Sequence, residues 1–183
     1  MQWEKVTRDP EVLEAIRGYE LPFSSLPPAR SRLKEPIFSP VIAEACDKEI
    51  LRLLNKGAIT VTSPSADQFL SRFFLIEKTS EGMRFILNLK DLNCFLSPPH
   101  FQLEDWRMVT QLMTQDSWMV TVDLEDAYLL VPISPKSRRF LRFQWRGVTY
   151  EFAVLPFGLS TAPYIFTKIL RPVMAHLRRK GFC

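Results

Sequence analysis

Asp123 is the residue in this sequence with the most chemistry to explain. It closes the run Trp118 to Val122, in which Trp118, Val120 and Val122 would share one face of a period-2 strand and Met119, Thr121 and Asp123 the other. A carboxylate at the end of an apolar strand needs a partner, because burying a lone charge is costly. That partner is a cation, a metal ion, or the backbone of the following turn, Leu124 to Tyr128, which a strand-end Asp commonly satisfies. Other familiar chemistries find no support. The six glycines form neither G-x-G-x-x-G nor G-x-x-x-x-G-K, so a Rossmann or P-loop nucleotide site is not expected. The two histidines, His100 and His176, make no His-Glu-x-x-His zinc helix. Cys46, Cys94 and Cys183 are odd in number and widely spaced, which argues against a disulfide framework or zinc site and for a reducing, intracellular setting, with cytoplasm and nucleus equally open.

The elements that must position Asp123 are legible from periodicity. Residues 1–38 read as a Pro-rich N-terminal extension with a short helix near Pro10 to Arg17. Within it, Leu26 to Lys34 reads as an extended basic arm or, equally, a solvated linker. Residues 39–183 read as the body. Ser39 and Pro40 open a helix with an apolar stripe of Ile42, Cys46, Ile50, Leu53 and Leu54, ended by Gly57. A hairpin follows: Phe69 to Glu77, a turn at Thr79 to Gly82, then Met83 to Lys90, with Phe85, Leu87 and Leu89 on one face and Arg84, Ile86, Asn88 and Lys90 on the other. Leu103 to Met113 has helical spacing, and Trp118 to Asp123 reads as a strand. Phe140 to Trp145 and Val148 to Phe152 form a second hairpin across Arg146-Gly147, with Leu141, Phe143 and Trp145 facing the core, as would Val148, Tyr150 and Phe152, and Ser160 would cap a final helix that Pro172 kinks or splits. The order predicts an α+β fold built on antiparallel hairpins and packed helices.

Composition bounds the partners only loosely. The 183 residues carry 24 Lys plus Arg against 20 Asp plus Glu, a net charge of +4 that fits a mixed solvated surface as well as a nucleic-acid-binding one. Hydrophobic residues are 46% of the chain, the level of a globular domain. No uncharged apolar run approaches the roughly 18 residues of a membrane span, and residues 1–30 contain no signal peptide, so no membrane partner is expected. Arg138, Arg139, Arg142 and Arg146 around the second hairpin, and Arg171, Arg178, Arg179 and Lys180 on the last helix, suit either phosphate contact or surface solubility.

Three segments change the weighting. Asp123-Leu-Glu-Asp-Ala-Tyr128 followed by Leu155-Pro-Phe-Gly158-Leu-Ser-Thr-Ala-Pro163 resembles the two central motifs of retroelement reverse transcriptases. Arg84-Phe-Ile-Leu-Asn-Leu-Lys90-Asp-Leu-Asn93 resembles the fingers motif of the same family. The resemblance spans roughly residues 65–175 and is shared by gypsy-type elements and by DIRS-type elements, with Trp3 to Leu21 pointing to the latter. It implies a right-hand polymerase, fingers and partial palm, that joins a primer 3′-oxygen to the α-phosphate of a deoxynucleoside triphosphate on an RNA or DNA template. Two Mg²⁺ ions about 4 Å apart would serve the reaction.

The same resemblance implies roles. Asp123 is the first palm aspartate and ligates metal together with the backbone of Leu124, while the backbone through Asp126 and Ala127 curls round the triphosphate. Tyr128 is a steric gate against a 2′-hydroxyl, with an ordinary core aromatic as the alternative. Phe157 lies beside the incoming nucleotide, or simply packs, and Gly158 lets the backbone approach it closely. Arg84 and, at the preceding strand end, Lys78 reach phosphate, or else are solvated cations of the hairpin. From the strand pattern itself, Lys90 shares the face of Arg84, where it could touch the template backbone, and Asn93 closes the turn after its strand. The family's remaining metal carboxylates sit in a Tyr-x-Asp-Asp hairpin, and no such sequence occurs in these 183 residues; nor does a thumb or a ribonuclease H domain. The expectation is therefore a reverse transcriptase fragment with little polymerase activity alone. The alternative is a non-catalytic nucleic-acid-binding or interaction module derived from such an element.

Overall fold

Strict alternation makes the two hairpins. In β3 (Met83–Leu87), Phe85 and Leu87 are buried while Arg84 faces solvent, and the strand pairs antiparallel with β2 (Phe73–Glu77), Phe73 opposite Leu87. The second hairpin joins β4 (Arg142–Trp145) to β5 (Val148–Phe152) through Arg146 and Gly147, both at positive φ, as a two-residue turn matched to strand twist requires. A strand not read from the sequence, β1 (Ile59–Thr62), adds to β5 with Ile59 opposite Phe152, giving the order β1-β5-β4. The computed structural model describes residues 2–77, 82–102, 107, 115–116, 118 and 120–181. The expected helix over Leu103 to Met113 and the turn at Thr79 to Glu81 lie outside the described residues, apart from Arg107.

Aromatic packing welds the two sheets. Phe73 stacks on Phe85 with ring centroids 4.8 Å apart, and both contact Phe143, at 5.3 and 4.9 Å. Trp145 and Phe38 close the same cluster. Each buried ring removes a large apolar area from water and adds edge and face attraction to its neighbours. Over this core lies α2 (Pro40–Asn55), begun by Ser39, whose Oγ accepts from the Ile42 N–H at 3.4 Å, and buried through Cys46, Ile50 and Leu53. It ends at Gly57, whose φ of +66° suits glycine.

The first 38 residues share this core. In α1 (Pro10–Gly18), capped by the Asp9 carboxylate, Val12 and Ala15 are fully buried. The Glu11 carboxylate accepts from the Tyr164 hydroxyl at 2.8 Å and pairs with Lys168, fastening α1 to the long last helix, Ala162–Arg179. Tyr19 bridges to Ile133, Phe23 packs edge-on to Phe140, and Arg30 bonds the Leu70 carbonyl at 2.6 Å. Further on, the Glu35 carboxylate accepts the N–H groups of Arg146 and Gly147 at 3.0 and 2.9 Å.

Several expectations differ from what is found. Among the described residues, Trp118 to Asp123 pairs with no strand: Trp118 is fully exposed, and Val120 and Val122 are 86% and 76% exposed. A period-2 pattern specifies a face, and only a neighbouring strand turns that face into a ladder. β3 ends at Leu87, and Lys90 instead begins a one-turn helix, α3 (Lys90–Asn93), because the Asn88 side chain accepts the Lys90 N–H at 3.2 Å. Ser160 does not cap the last helix; Thr161 holds that position without a side-chain bond. Pro172 sits inside that helix without splitting it. Among the described residues no helix is long and apolar enough to cross a membrane.

Candidate functional site

A cleft of about 520 Å³ opens between the end of α2, the β3 strand and the segment Asp123 to Ala127. Its lining brings together Arg84, Asp123, Leu124, Asp126, Ala127 and Phe157, six of the positions singled out from sequence. Lys78 lies outside the described residues. Asp123 projects an exposed carboxylate, and among the described residues no hydrogen bond or ion pair engages it. The next turn is tight. Asp126 adopts φ 49°, ψ 40°, the left-handed region that Asp tolerates better than most residues. Its carbonyl accepts the Leu129 N–H at 2.8 Å and so starts the 3₁₀ turn Ala127–Leu130.

The acids beyond Asp123 are engaged. Asp126 Oδ2 accepts from Arg52 at 2.8 Å and from Lys56 at 2.7 Å, and Lys56 also reaches Glu125 at 2.9 Å. Burial alone would raise the Asp126 carboxyl, but hydrogen bonds and charge from Lys56 and Arg52 outweigh it and hold it below the usual aspartate value. Hydrogen bonding to Asp126 and Glu125 raises Lys56. Burial opposes the charge on Arg52, and its bonds to Glu49 and Asp126 raise it nonetheless. Arg52 and Lys56 belong to no motif and were missed in the sequence; nothing in one chain signals a pairing across 74 residues.

An aromatic bracket joins β3 to the 3₁₀ turn. The Arg84 guanidinium lies 5.7 Å from the Phe157 ring centroid, and Phe157 packs on Tyr128 at 5.2 Å. Tyr128 also meets Phe166 of the last helix edge-on at 5.4 Å. Gly158 is favoured over any other residue on two counts: its φ is +94°, and a Cβ there would lie 3.0 Å from the Leu87 carbonyl oxygen.

Asn93 does more than close a turn. Its Nδ2 donates to the Gly158 carbonyl at 2.9 Å, and its Oδ1 accepts the Ser160 N–H at 2.9 Å, so one amide clamps the Leu155 to Ser160 loop to α3. Asn93→Ala removes both bonds, and because water can reach the exposed Gly158 carbonyl the expected destabilisation is about 0.5–1.5 kcal/mol. Urea melts of wild type and N93A measure this; an unchanged midpoint would show that the clamp carries no stability.

The cations of the second hairpin are largely spent on neighbouring acids. Arg139 pairs with Asp67, Arg146 with Asp47 and Arg142 with Glu151. Arg142 is only 9% exposed, so it serves the fold and does not meet phosphate. As for a metal, no group of three or more His, Cys, Asp or Glu side chains among the described residues is placed to hold one. One unengaged carboxylate, Asp123, fits a hard ion that arrives with most of its shell as phosphate and water, the usual habit of Mg²⁺.

Comparison with known proteins places this geometry. Residues 76–183, more than half of the chain, match the family described as reverse transcriptase (RNA-dependent DNA polymerase). The retrovirus-related Pol polyprotein from transposon gypsy of Drosophila melanogaster is 25% identical over 168 residues, covering 84% of this chain and 16% of that polyprotein. The enzymatic polyprotein of figwort mosaic virus is 26% identical over 147 residues, covering 78% of this chain and 22% of its own length. In fold, the prototype foamy virus protease–reverse transcriptase overlays 88% of this chain, and 21% of its own, at a TM-score of 0.72 and 21% identity. The foamy viral protease–reverse transcriptase in complex with double-stranded DNA overlays 85% of this chain and 26% of its own at a TM-score of 0.65 and 16% identity. The α+β fold anticipated from the hairpins, with the fingers and palm that the resemblance implied, is thus the observed fold, and this chain, which spans 16% to 26% of these relatives, belongs to the reverse transcriptase (RNA-dependent DNA polymerase) family.

Proposed function

We propose that the cleft is the deoxynucleoside triphosphate site of an RNA-directed DNA polymerase and that this chain supplies its fingers and the first part of its palm. The observation that carries the reading is the convergence of Arg84, Asp123 and Phe157 on one cleft from three separate segments. Asp123 and the Leu124 backbone would hold Mg²⁺, which when bound neutralises triphosphate charge and stabilises the attacking and leaving oxygens. The planar guanidinium of Arg84, steadied over the Phe157 ring, offers paired donors to phosphate oxygens. The Tyr128 ring does not itself line the cleft but packs on Phe157, which does, and on Phe166; from there it would act as the gate against a 2′-hydroxyl. Close passage of Gly158 beneath Leu87 leaves the backbone open to the primer–template. In the full reaction the primer 3′-oxygen attacks the α-phosphorus and pyrophosphate leaves. With Asp123 the one unengaged acid at the described cleft, this chain alone is assigned nucleotide and duplex binding, with turnover requiring further carboxylates.

The steric gate gives the test. Wild type should prefer dTTP to UTP in the presence of Mg²⁺ and a primer–template duplex. Tyr128→Ala should relax that preference by roughly tenfold to a hundredfold. Equal loss of affinity for both nucleotides would assign Tyr128 to packing alone.

A further inference from the structure

We propose that Arg52 and Lys56, from the end of α2, form an ionic clamp that positions the triphosphate-binding turn: they hold Asp126, and with it the backbone of residues 124–127, in the shape the nucleotide requires. The inference rests on the nucleotide-binding reading above and adds to it two positioning residues that lie outside every motif.

Tyr128 and Leu129 pack the C-terminal side of the turn against the core, but its N-terminal side has little else to hold it. Residues 121–125 are exposed, so their conformation is not fixed by a packed core. Asp126 nevertheless keeps left-handed backbone angles, which cost Asp less than most non-glycine residues but still favour support from the surroundings. The surroundings here are two cations on one oxygen, Arg52 at 2.8 Å and Lys56 at 2.7 Å, with Asp126 only 24% exposed. Arg52 is itself pre-oriented, because Glu49 one turn earlier accepts its Nε at 3.1 Å. Lys56 takes a second grip on the turn through Glu125. Both cations stand at the C-terminal end of α2, where the helix dipole favours positive charge. Helix α2 is anchored by Cys46, Ile50 and Leu53, so the clamp ties an exposed turn to a rigid element. Arg52 also lines the cleft beside Arg84 and Asp123, which puts the clamp at the wall of the site.

The test uses R52Q, K56Q and the double variant, with K48Q as control, since that substitution removes one charge from the same helix at a residue that, among the described residues, pairs only with exposed Glu44. Two quantities are read: amide hydrogen exchange across residues 124–131, and dTTP affinity with Mg²⁺ and primer–template duplex. The double variant should exchange faster at Leu129 and Val131, whose N–H groups bond Asp126 and Tyr128, while the aromatic core is unchanged. Its dTTP affinity should fall on the order of tenfold to a hundredfold, as expected when a binding backbone is misplaced by an ångström or so. R52K should recover part of that loss and K48Q should show none. Unchanged exchange in the double variant overturns the clamp, and faster exchange with intact dTTP affinity overturns its positioning role. Failure of wild type to bind dTTP at all overturns the nucleotide-site reading itself, and the clamp's role with it.

Discussion

Asp123→Asn is expected to abolish the Mg²⁺-dependent part of dTTP binding while leaving the fold intact. The substitution keeps side-chain shape and removes the charge. Asp123 is exposed and engaged by no hydrogen bond or ion pair among the described residues, so neither stability nor core packing should register its loss. Its neighbours cannot replace it. Asp126 is held by Arg52 and Lys56, and Glu125 by Lys56, so neither offers a ready carboxylate to a cation in the cleft. Loss of a charged partner typically costs about 1.5–3 kcal/mol, which is roughly tenfold to a hundredfold in affinity. Calorimetric titration with dTTP, paired with a thermal melt, separates the two effects. Full affinity in D123N would remove Asp123 from the metal-binding role.

The largest stability effect is expected at Arg142. It stands directly across the ladder from Glu151, and its Nε and a terminal nitrogen both donate to one Glu151 oxygen, at 2.9 and 2.7 Å. The remaining donors reach Ser65 Oγ and Gln68 Oε1, each at 3.1 Å, so the same guanidinium ties the Thr62 to Gln68 connection onto β4. Arg142→Met strands Glu151, 15% exposed, without its counter-charge, and breaking such a pair from one side costs about 3–5 kcal/mol. At roughly 2–4 °C per kcal/mol for a domain of this size, the melting temperature should fall by about 6–20 °C. The R142M/E151M double variant should regain part of the loss, because no uncompensated charge remains. A double variant no better than R142M would show that the bonds to Ser65 and Gln68, not the ion pair, dominate.

Arg142 also shows where sequence reading succeeds and fails. Counting outward from the Arg146-Gly147 turn puts Arg142 opposite Glu151, yet by composition the residue reads as one of a cluster of surface cations. Hairpins, α2 and the last helix were legible because their periodicity is local: Phe85, Leu87, Phe143 and Trp145 fall on the buried faces anticipated. Val148 is a partial exception, 36% exposed where the alternation starts. β1 was missed because a four-residue edge strand, Ile59–Thr62, carries too few alternations to stand out. Trp118 to Val122 went the other way, since a strand pattern does not supply the strand that pairs with it. At the site, the motifs named six of the residues that converge on the cleft, while Tyr128 and Gly158 stand just behind its wall, in contact with Phe157 and beside Leu87. What they could not name are the long-range supports, Asn93 reaching the Gly158 loop and Arg52 reaching Asp126, because a polar side chain's partner is set by the fold and not by its neighbours in sequence.

The most direct measurement is an equilibrium titration of the purified chain with dTTP, with a primer–template duplex present, in Mg²⁺ and again in excess chelator. Saturable one-site binding in Mg²⁺, weaker binding of UTP, and loss of the dTTP signal in chelator are the expected results. Absence of binding in Mg²⁺, or equal affinity in chelator, would contradict the assignment of this cleft as a metal-dependent triphosphate site.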